Sequence, residues 1–277
     1  MHTLIVGEAG LNHNGDIEIA KKLIDVCSNL GIPYIKFQKR DVNSCYTQEF
    51  LDSHRESPWG KTQRAQKEGL EFSLEQYQEI DRYCNIAGVG WFASPWDLES
   101  IDFLCNNFPD MPFLKIPSAK MTDKLFLRRC DDMRIPLILS TGMCTMDIIR
   151  EAMNICKNAE YLLHCTSTYP CKDEDLNLIQ IKMLRYYFET EKCKVGFSNH
   201  SPSIIFMPEA VVLGAAMIET HITLDRASYG SDQAASIEPS GLQKLVKYIE
   251  GTEKATGDIE KRILDSEIPI IKKLRGD

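Results

Sequence analysis

Residues 137–164 read LILSTGMCTMDIIREAMNICKNAEYLLH and contain one complete strand–helix–strand unit. The apolar run from Leu137 to Ser140 predicts a buried strand, and Tyr161 to His164 predicts the next one. The amphipathic stretch between them, Met146 to Lys157, predicts a helix. This unit is the repeat of a parallel sheet with crossover helices, so the number of repeats decides which parallel fold the chain forms.

Eight apolar runs of this kind occur along the chain. They are Leu4 to Glu8, Tyr34 to Gln38, Gly90 to Ala93, Phe113 to Ile116, Leu137 to Ser140, Tyr161 to His164, Lys194 to Phe197 and Ala216 to His221. Asp16 to Leu30, Leu74 to Ala87 and Pro239 to Ala255 are further predicted helices. Eight strand-then-helix units predict an α/β fold of the (β/α)8 TIM-barrel type. We expect residues 1–277 to form one catalytic domain, with 258–277 as a closing segment.

Two segments stand outside this repeat. The polar stretch from Arg40 to Glu71 is too long for an ordinary connection, and we expect it to be a lid or substrate loop. The residues after Gly257 alternate Ile with charged side chains, which fits a closing helix on the barrel or an oligomer contact.

Composition argues against several classes of partner. The formal net charge of −8, from 40 acidic and 32 basic residues, repels a phosphate backbone, so we expect no nucleic-acid partner. The longest apolar stretch, Ala210 to Ile218, is much shorter than a membrane span, and we expect no membrane association. Ten scattered Cys without a CxxC pair, and an N-terminus without signal-peptide pattern, fit a reducing cytoplasm.

Polar side chains stand at the predicted carboxyl end of every strand, where barrel enzymes hold their active sites. A single lysine there is more often a surface charge, but two lysines on barrel strands with several hydroxyls favour a site for a doubly charged phosphate. The members of this set are Lys36, Ser94, Lys115, Ser118, Ser140 and Ser198.

His200 and His221 end the neighbouring seventh and eighth strands. Two imidazoles that converge there can bind a divalent metal and leave positions open for substrate oxygens and water. A lone histidine is more often a hydrogen-bonded core residue, and we interpret His13 and His164 as structural or supporting residues. The carboxylates Glu8, Asp225 and Asp232 suit proton transfer or sugar hydroxyls, and equally suit turns or caps.

Seven motifs run in order along the predicted barrel: GEAGLNHNG at 7–15, IKFQ at 35–38, LKIPS at 114–118, LSTGM at 139–143, HCTSTYP at 164–170, GFSNH at 196–200 and ETHIT at 219–223. Together they resemble the N-acetylneuraminate (sialic acid) synthase family. The resemblance implies an enzyme that condenses phosphoenolpyruvate with the open-chain aldehyde of N-acetylmannosamine or a related amino sugar. The products would be a nonulosonic acid and phosphate.

The same resemblance implies a role for each candidate residue. A divalent metal, Mn²⁺ with Mg²⁺ or Co²⁺ as alternatives, would be held by two histidines, with no organic cofactor and a homodimeric assembly. The implied roles are metal binding for His200 and His221; catalysis for Glu8, His221 and Asp232; phosphoenolpyruvate binding for Lys36, Ser94, Lys115, Ser118, Ser140 and Ser198; sugar binding for Gln38, Ser167, Tyr169 and Asp232; and support for Asn12, His13, His164 and Glu219.

Three features depart from the family pattern. Lys120 stands where the family usually has a carboxylate, two residues after the position of Ser118, and Ser167 replaces the Asn of some members. The sequence ends near the end of the barrel, whereas many relatives carry a further antifreeze-like domain. We therefore expect the barrel domain only, acting on a different sugar or completed by a separate chain.

Two other functions stay open at the level of sequence. A related aldol synthase would condense phosphoenolpyruvate with a phosphorylated or other sugar aldehyde, and a sugar phosphate would need an extra basic pocket. A non-catalytic barrel would bind sugar or a partner subunit, and that interpretation requires a broken metal site.

Overall fold

The computed structural model describes residues 3–276, and eight of its strands form a closed parallel barrel. The strands are β1 Leu4–Gly10, β2 Tyr34–Lys39, β3 His54–Ser57, β4 Gly60–Thr62, β5 Gly90–Pro95, β6 Leu114–Ile116, β7 Leu137–Ser140, β8 Ala159–His164, β9 Lys194–Asn199 and β10 Met217–His221. Strands β3 and β4 form a separate antiparallel hairpin. Around the barrel the order is β1, β2, β5, β6, β7, β8, β9 and β10, and β10 closes on β1. The predicted (β/α)8 fold is confirmed, while residues 1, 2 and 277 of the predicted domain lie outside the described residues.

A crossover helix follows each barrel strand. The helices are α1 Ile17–Asn29, α2 Val42–Cys45, α3 Gln48–Asp52, α4 Gln63–Leu70, α5 Leu74–Ala87, α6 Leu98–Asn107, α7 Lys124–Asp132, α8 Met146–Ile155, α9 Gln180–Phe188, α10 Phe206–Val212, α11 Pro239–Thr256 and α12 Ile268–Arg275. The crossover helices are α1, α5, α6, α7, α8, α9, α10 and α11 in chain order. Helices α2, α3 and α4 lie between β2 and α5, and α12 follows α11. Helix α5 has the predicted bounds because Ser73 and Gln76 form a reciprocal capping box at its start and Gly88 ends it in the left-handed conformation. Within residues 3–276, no helix is both long enough and apolar enough to cross a membrane.

Helix α8 ends two residues earlier than predicted. Asn158 donates its side-chain amide to the carbonyl of Asp131, 2.7 Å away, and its backbone N–H to the Asp131 carboxylate at 2.8 Å. These bonds draw the chain out of the helix and into β8.

The barrel interior is apolar at one end and polar at the other. Val6, Phe92, Phe113, Ile138, Leu163 and Met217 pack together inside the barrel. Side chains alternate along a strand, so the residues two and four positions beyond Met217, Glu219 and His221, point into the same interior. The polar part of the barrel interior therefore lies at the carboxyl ends of the strands.

Residues 40–71 form a folded excursion on that side of the barrel. It contains α2, α3, the β3–β4 hairpin and α4. Gly15, with φ of 68°, allows the loop after β1 to approach α4 so closely that an added Cβ would lie 2.0 Å from the Gly69 carbonyl oxygen. The Trp59 ring contacts the ring of Tyr229, at 5.8 Å between centroids, in the loop after β10. The segment predicted as a loop is thus mostly regular structure, and its action as a lid stays a prediction.

The segment after α11 does not pack on the barrel. Residues 257–270 are exposed, and α12 buries none of its residues. Ile259 and Leu274 are among its exposed apolar side chains. The closing-helix interpretation therefore lacks packing within this chain, and the oligomer contact stays a prediction.

Candidate functional site

A cavity opens at the carboxyl ends of the barrel strands, and we call it the mouth. Every barrel strand or the loop directly after it contributes to its walls. The lining residues are Glu8, Lys36, Gln38, Ser94, Trp96, Lys115, Pro117, Ser118, Ala119, Ser140, Met143, Cys165, Ser167, Tyr169, Ser198, His200, Glu219 and His221. Of the residues predicted from sequence, all line the mouth except Asp225, Asp232, Asn12, His13 and His164.

A buried network of ion pairs forms the floor of the mouth. Lys36 Nζ lies 3.0 Å from Glu8 Oε2 and 3.3 Å from Glu219 Oε2. Lys115 Nζ lies 3.4 Å from the other oxygen of Glu219. Glu219, predicted only as a supporting residue, is thus the shared partner of both lysines.

Burial and neighbouring charges set the protonation of this network. Burial disfavours the charged form of Lys36, but the carboxylates of Glu219 and Glu8 outweigh it and raise the pKa of Lys36. Burial is the larger effect at Lys115 and lowers its pKa, although Glu219 opposes it. Burial likewise disfavours ionised Glu219, yet the two lysines and the Ser198 hydroxyl lower the pKa of this carboxyl. The floor therefore holds the ionised carboxylate of Glu219 between the protonated Lys36 and Lys115.

The predicted hydroxyls surround the two lysines. Ser94 Oγ accepts from Lys36 Nζ at 3.3 Å, and Ser198 Oγ donates to Glu219 Oε1 at 2.8 Å. Ser118 Oγ accepts the backbone N–H of Gly142 at 3.0 Å. The buried hydroxyl of Ser140 has no partner within the described chain, so it is available to a ligand.

The two histidines of the predicted metal site face each other across the mouth. The ring centroids of His200 and His221 are 5.6 Å apart. His200 Nδ1 lies 2.6 Å from the Thr166 carbonyl oxygen, so this nitrogen donates and Nε2 keeps its lone pair. Burial, followed by the charge of His221, lowers the pKa of His200 to about 3. His200 is therefore neutral near pH 7, as a metal ligand must be.

The donor set fits a divalent cation with two protein imidazoles. His221 Nδ1 is buried without a hydrogen-bond partner in the described chain and lies 3.7 Å from Asp232 Oδ2. The lone pair of His200 Nε2 accepts a hydrogen bond from the Tyr169 hydroxyl at 3.0 Å, which a metal would replace. Residues 3–276 contain no group of three or more His, Cys, Asp or Glu side chains placed to hold a metal, so substrate and water would supply further ligands.

The predicted sugar-binding residues lie around the rim above this pair. Gln38 Nε2 donates to Glu8 Oε1 at 2.8 Å, and a Cβ on Gly10 would lie 2.9 Å from Asp232 Oδ2 and 3.2 Å from Glu8 Oε1. Tyr169 is 48% exposed and contacts the His200 ring, with the centroids 4.2 Å apart and the planes tilted by 41°. Glu8, Gln38 and Asp232 thus converge beside the histidines, although Asp232 stands just outside the lining.

Three of the predicted supporting residues make contacts in the loops and do not line the mouth. Asn12 donates to the Ile222 carbonyl at 2.8 Å and so ties the loop after β1 to the end of β10. His13 stacks on Phe72 with ring centroids 4.2 Å apart. His164 Nε2 bonds the Leu176 carbonyl at 2.8 Å. Their contacts fit the structural role predicted for them.

Stability should fall as the pH drops from 6.5 towards 4, because burial lowers the pKa of His13 to about 4 from its ordinary value of 6.5. Between these pH values His13 binds a proton in the unfolded chain but not in the folded chain, so protonation favours unfolding. His13 alone should contribute a loss of about 2 kcal/mol between pH 7 and pH 5. Urea denaturation of the wild type and His13→Gln at both pH values would measure it.

The comparison uses the pH dependence, not the absolute stability, because His13→Gln also disturbs the stack on Phe72. His54→Gln is the control, since His54 is largely exposed on β3 and should leave the pH dependence unchanged. An equal pH dependence in wild type and His13→Gln would contradict the assignment.

Several residues at the mouth were not predicted from sequence. Trp96 lines it directly after β5, and Cys165 lies 3.3 Å from the Ser118 hydroxyl. A polar or aromatic residue just beyond a strand end was the available signal for Trp96. Lys120, the departure from the family pattern, is not in the lining; it lies over the Phe126 ring at 5.3 Å and 3.8 Å from Asp123.

Comparisons with known proteins place the chain among the synthases that the motifs resemble. It is 36% identical to N,N'-diacetyllegionaminic acid synthase of Campylobacter jejuni, over 98% of this chain and 83% of the relative. It is 35% identical to N-acetylneuraminate-9-phosphate synthase of Homo sapiens, over 98% of this chain and 76% of the relative. The crystal structure of N-acetylneuraminic acid (sialic acid) synthetase from Leptospira borgpetersenii superposes with a TM-score of 0.85 at 29% identity, covering 100% and 94% of the two chains. The model of the NeuB family matches residues 23–261, and the chain belongs to the NeuB family.

Proposed function

We propose that this chain condenses phosphoenolpyruvate with the open-chain aldehyde of an amino sugar, N-acetylmannosamine or a related compound, to give a nonulosonic acid and phosphate. The enol carbon forms a bond to the aldehyde carbon, water adds to the neighbouring carbon of phosphoenolpyruvate, and the C–O bond to phosphate breaks. Membership of the NeuB family, with relatives named as synthases of such acids, supports this reaction.

The floor of the mouth would bind phosphoenolpyruvate. Lys36 and Lys115 offer two buried ammonium groups, and the free hydroxyl of Ser140 adds a donor. Such preorganised donors stabilise the charge that develops on a leaving phosphate. Ser94, Ser118 and Ser198 stand around the same lysines and are assigned to the same substrate.

The rim would bind the sugar, with the aldehyde beside the histidines. His200 and His221 would hold a divalent cation, which we propose to be Mn²⁺, and that cation supplies the positive charge that polarises the aldehyde. Glu8 would position water or a proton through the carboxylate that also accepts from Gln38. Gln38, Ser167, Tyr169 and Asp232 would contact the sugar hydroxyls, with Asp232 able to act as an acid or base.

The single observation that carries the proposal is the pair of imidazoles, 5.6 Å apart between ring centroids, in the same cavity as two buried lysines. The test is phosphate release by the purified chain with phosphoenolpyruvate, MnCl₂ and a panel of N-acetylated hexosamines and their phosphates. Release should need all three components. Phosphate release in the absence of a sugar, or no phosphate release with any sugar of the panel, would contradict the proposed reaction.

Two further assignments are proposals that rest on weaker support. We propose a homodimer, as the family resemblance implies, and the exposed apolar side chains of residues 258–276 suit such a contact. We propose the cytoplasm as the compartment, because all ten Cys are free thiols, which suits a reducing environment.

A further inference from the structure

The 40–71 excursion carries cations that are separate from the lysines on the floor. Arg40, Arg55 and Lys67 all belong to the 40–71 excursion. Within residues 3–276, no carboxylate lies within 4 Å of the charged nitrogens of Arg55 or Lys67. Arg40 has only Glu71, at 3.9 Å, and Glu71 makes its closer pair with Lys39 at 3.1 Å. Arg55 and Lys67 therefore lack the close anionic partners that the two floor lysines have, and Arg40 has one long ion pair.

Two of these cations also bury donors that bond to nothing in the described chain. Arg40 is only 7% exposed, and its Nε has no acceptor. The Nε of Arg55 is likewise buried without one, and so is the indole Nε1 of Trp96, over whose ring the Arg40 guanidinium lies at 4.3 Å. A buried donor without an acceptor costs about 1–3 kcal/mol. Such a cost is removed when a bound ligand brings acceptor oxygens.

Arg40 borders the part of the mouth assigned to the sugar. Arg40 donates to Gln38 Oε1 at 2.6 Å, and Gln38 and Trp96 both line the mouth. Burial, followed by the charges of Arg40 and Arg55, lowers the pKa of Lys67, while Asp232 opposes the effect. The cluster is thus electrostatically linked to Asp232, which stands beside the proposed metal ligand His221.

We infer that the sugar substrate carries a phosphate or similar dianion at the end remote from its aldehyde, held by Arg40, Arg55 and Lys67. This inference rests on the proposed condensation and chooses among its substrates: it selects phosphorylated amino sugars over neutral ones. Arginine suits the role because its planar fork matches phosphate oxygens, and lysine adds a point charge. The folded 40–71 excursion is then a specificity element of the enzyme.

The test uses two unreactive probes that lack the aldehyde, N-acetylmannosaminitol 6-phosphate and unphosphorylated N-acetylmannosaminitol. Calorimetric titration of the wild type with MnCl₂ present should give at least about tenfold tighter binding of the phosphorylated probe. Lys67→Gln and Arg55→Gln should each weaken that binding by about tenfold and leave the unphosphorylated probe unaffected. Lys61→Gln is the matched control on the same excursion, because Lys61 is 78% exposed and should change neither.

Kinetics with the two aldehyde sugars provide the second measurement. N-Acetylmannosamine 6-phosphate should have the higher kcat/KM, and Lys67→Gln should lower it without raising the KM for phosphoenolpyruvate. Equal binding of the two probes to the wild type, or an equal effect of Lys67→Gln on both, would overturn the inference. A matching rise in KM for phosphoenolpyruvate would do the same, since the cluster would then serve the other substrate. Absence of turnover with either sugar would count against the condensation alone, because probe binding is measured independently of it.

Discussion

Replacing His221 by alanine will lower kcat/KM for phosphate release by about a thousandfold or more while the barrel stays folded. His221 and His200 are the two imidazoles that line the mouth in the described chain, and Nδ1 of His221 is buried without a hydrogen-bond partner there. A cation that polarises a carbonyl supplies several kcal/mol of transition-state stabilisation, and each 1.36 kcal/mol is tenfold in rate. Steady-state assays of phosphate release with saturating MnCl₂ would measure the loss.

The matched control is His54→Ala, since the side chain of His54 is 70% exposed on β3, contacts Glu56 and does not line the mouth. Its activity should equal that of the wild type. Circular dichroism would check that His221→Ala keeps its fold, and calorimetric titration of Mn²⁺ would check that metal affinity is lost. Activity retained by chelator-treated His221→Ala would overturn the metal assignment. Sugar binding by the wild type without turnover would instead favour the non-catalytic barrel.

Lys36→Met will lose both stability and activity. The lysine is buried between Glu8 and Glu219, so its removal leaves two carboxylates without their shared cation. Breaking a buried pair in this way typically costs about 3–5 kcal/mol. The free energy of unfolding at pH 7, measured by urea denaturation, should fall by that amount. Phosphate release should become undetectable, because phosphoenolpyruvate loses one of the two lysines proposed to bind it.

A second-site change separates the two effects. Adding Glu8→Gln to Lys36→Met removes the carboxylate whose ion pair in the described chain is with Lys36, so part of the lost stability should return while activity should not. The deficit of the single variant should also shrink as pH falls, because protonation neutralises the stranded carboxylates. Lys61→Met, at a largely exposed position, should stay within about 0.5 kcal/mol of the wild type. If Lys36→Met were as stable as the wild type, the buried network would not hold the floor as proposed.

Much of the fold was decided by local sequence. The bounds of β7 and α5 were predicted to the residue, because an apolar run and a Ser–Gln capping box are signals carried within a few positions. The family membership followed from motifs at strand ends. Most of the mouth followed too, because strand alternation and the carboxyl-end rule send Lys36 and Lys115 into one cavity wherever eight parallel strands close.

The tertiary structure decided what depends on contacts between distant segments. In the sequence, Glu219 stands two residues before His221, and it was predicted only as a supporting residue. The closed barrel places it between Lys36 and Lys115, with which it forms ion pairs.

Residues 40–71 were predicted to form a polar loop, and their cations are far apart in the sequence. Folding brings Arg40 against Gln38 and Trp96 at the mouth. A one-dimensional pattern cannot show this, because electrostatic interactions depend on distance in space.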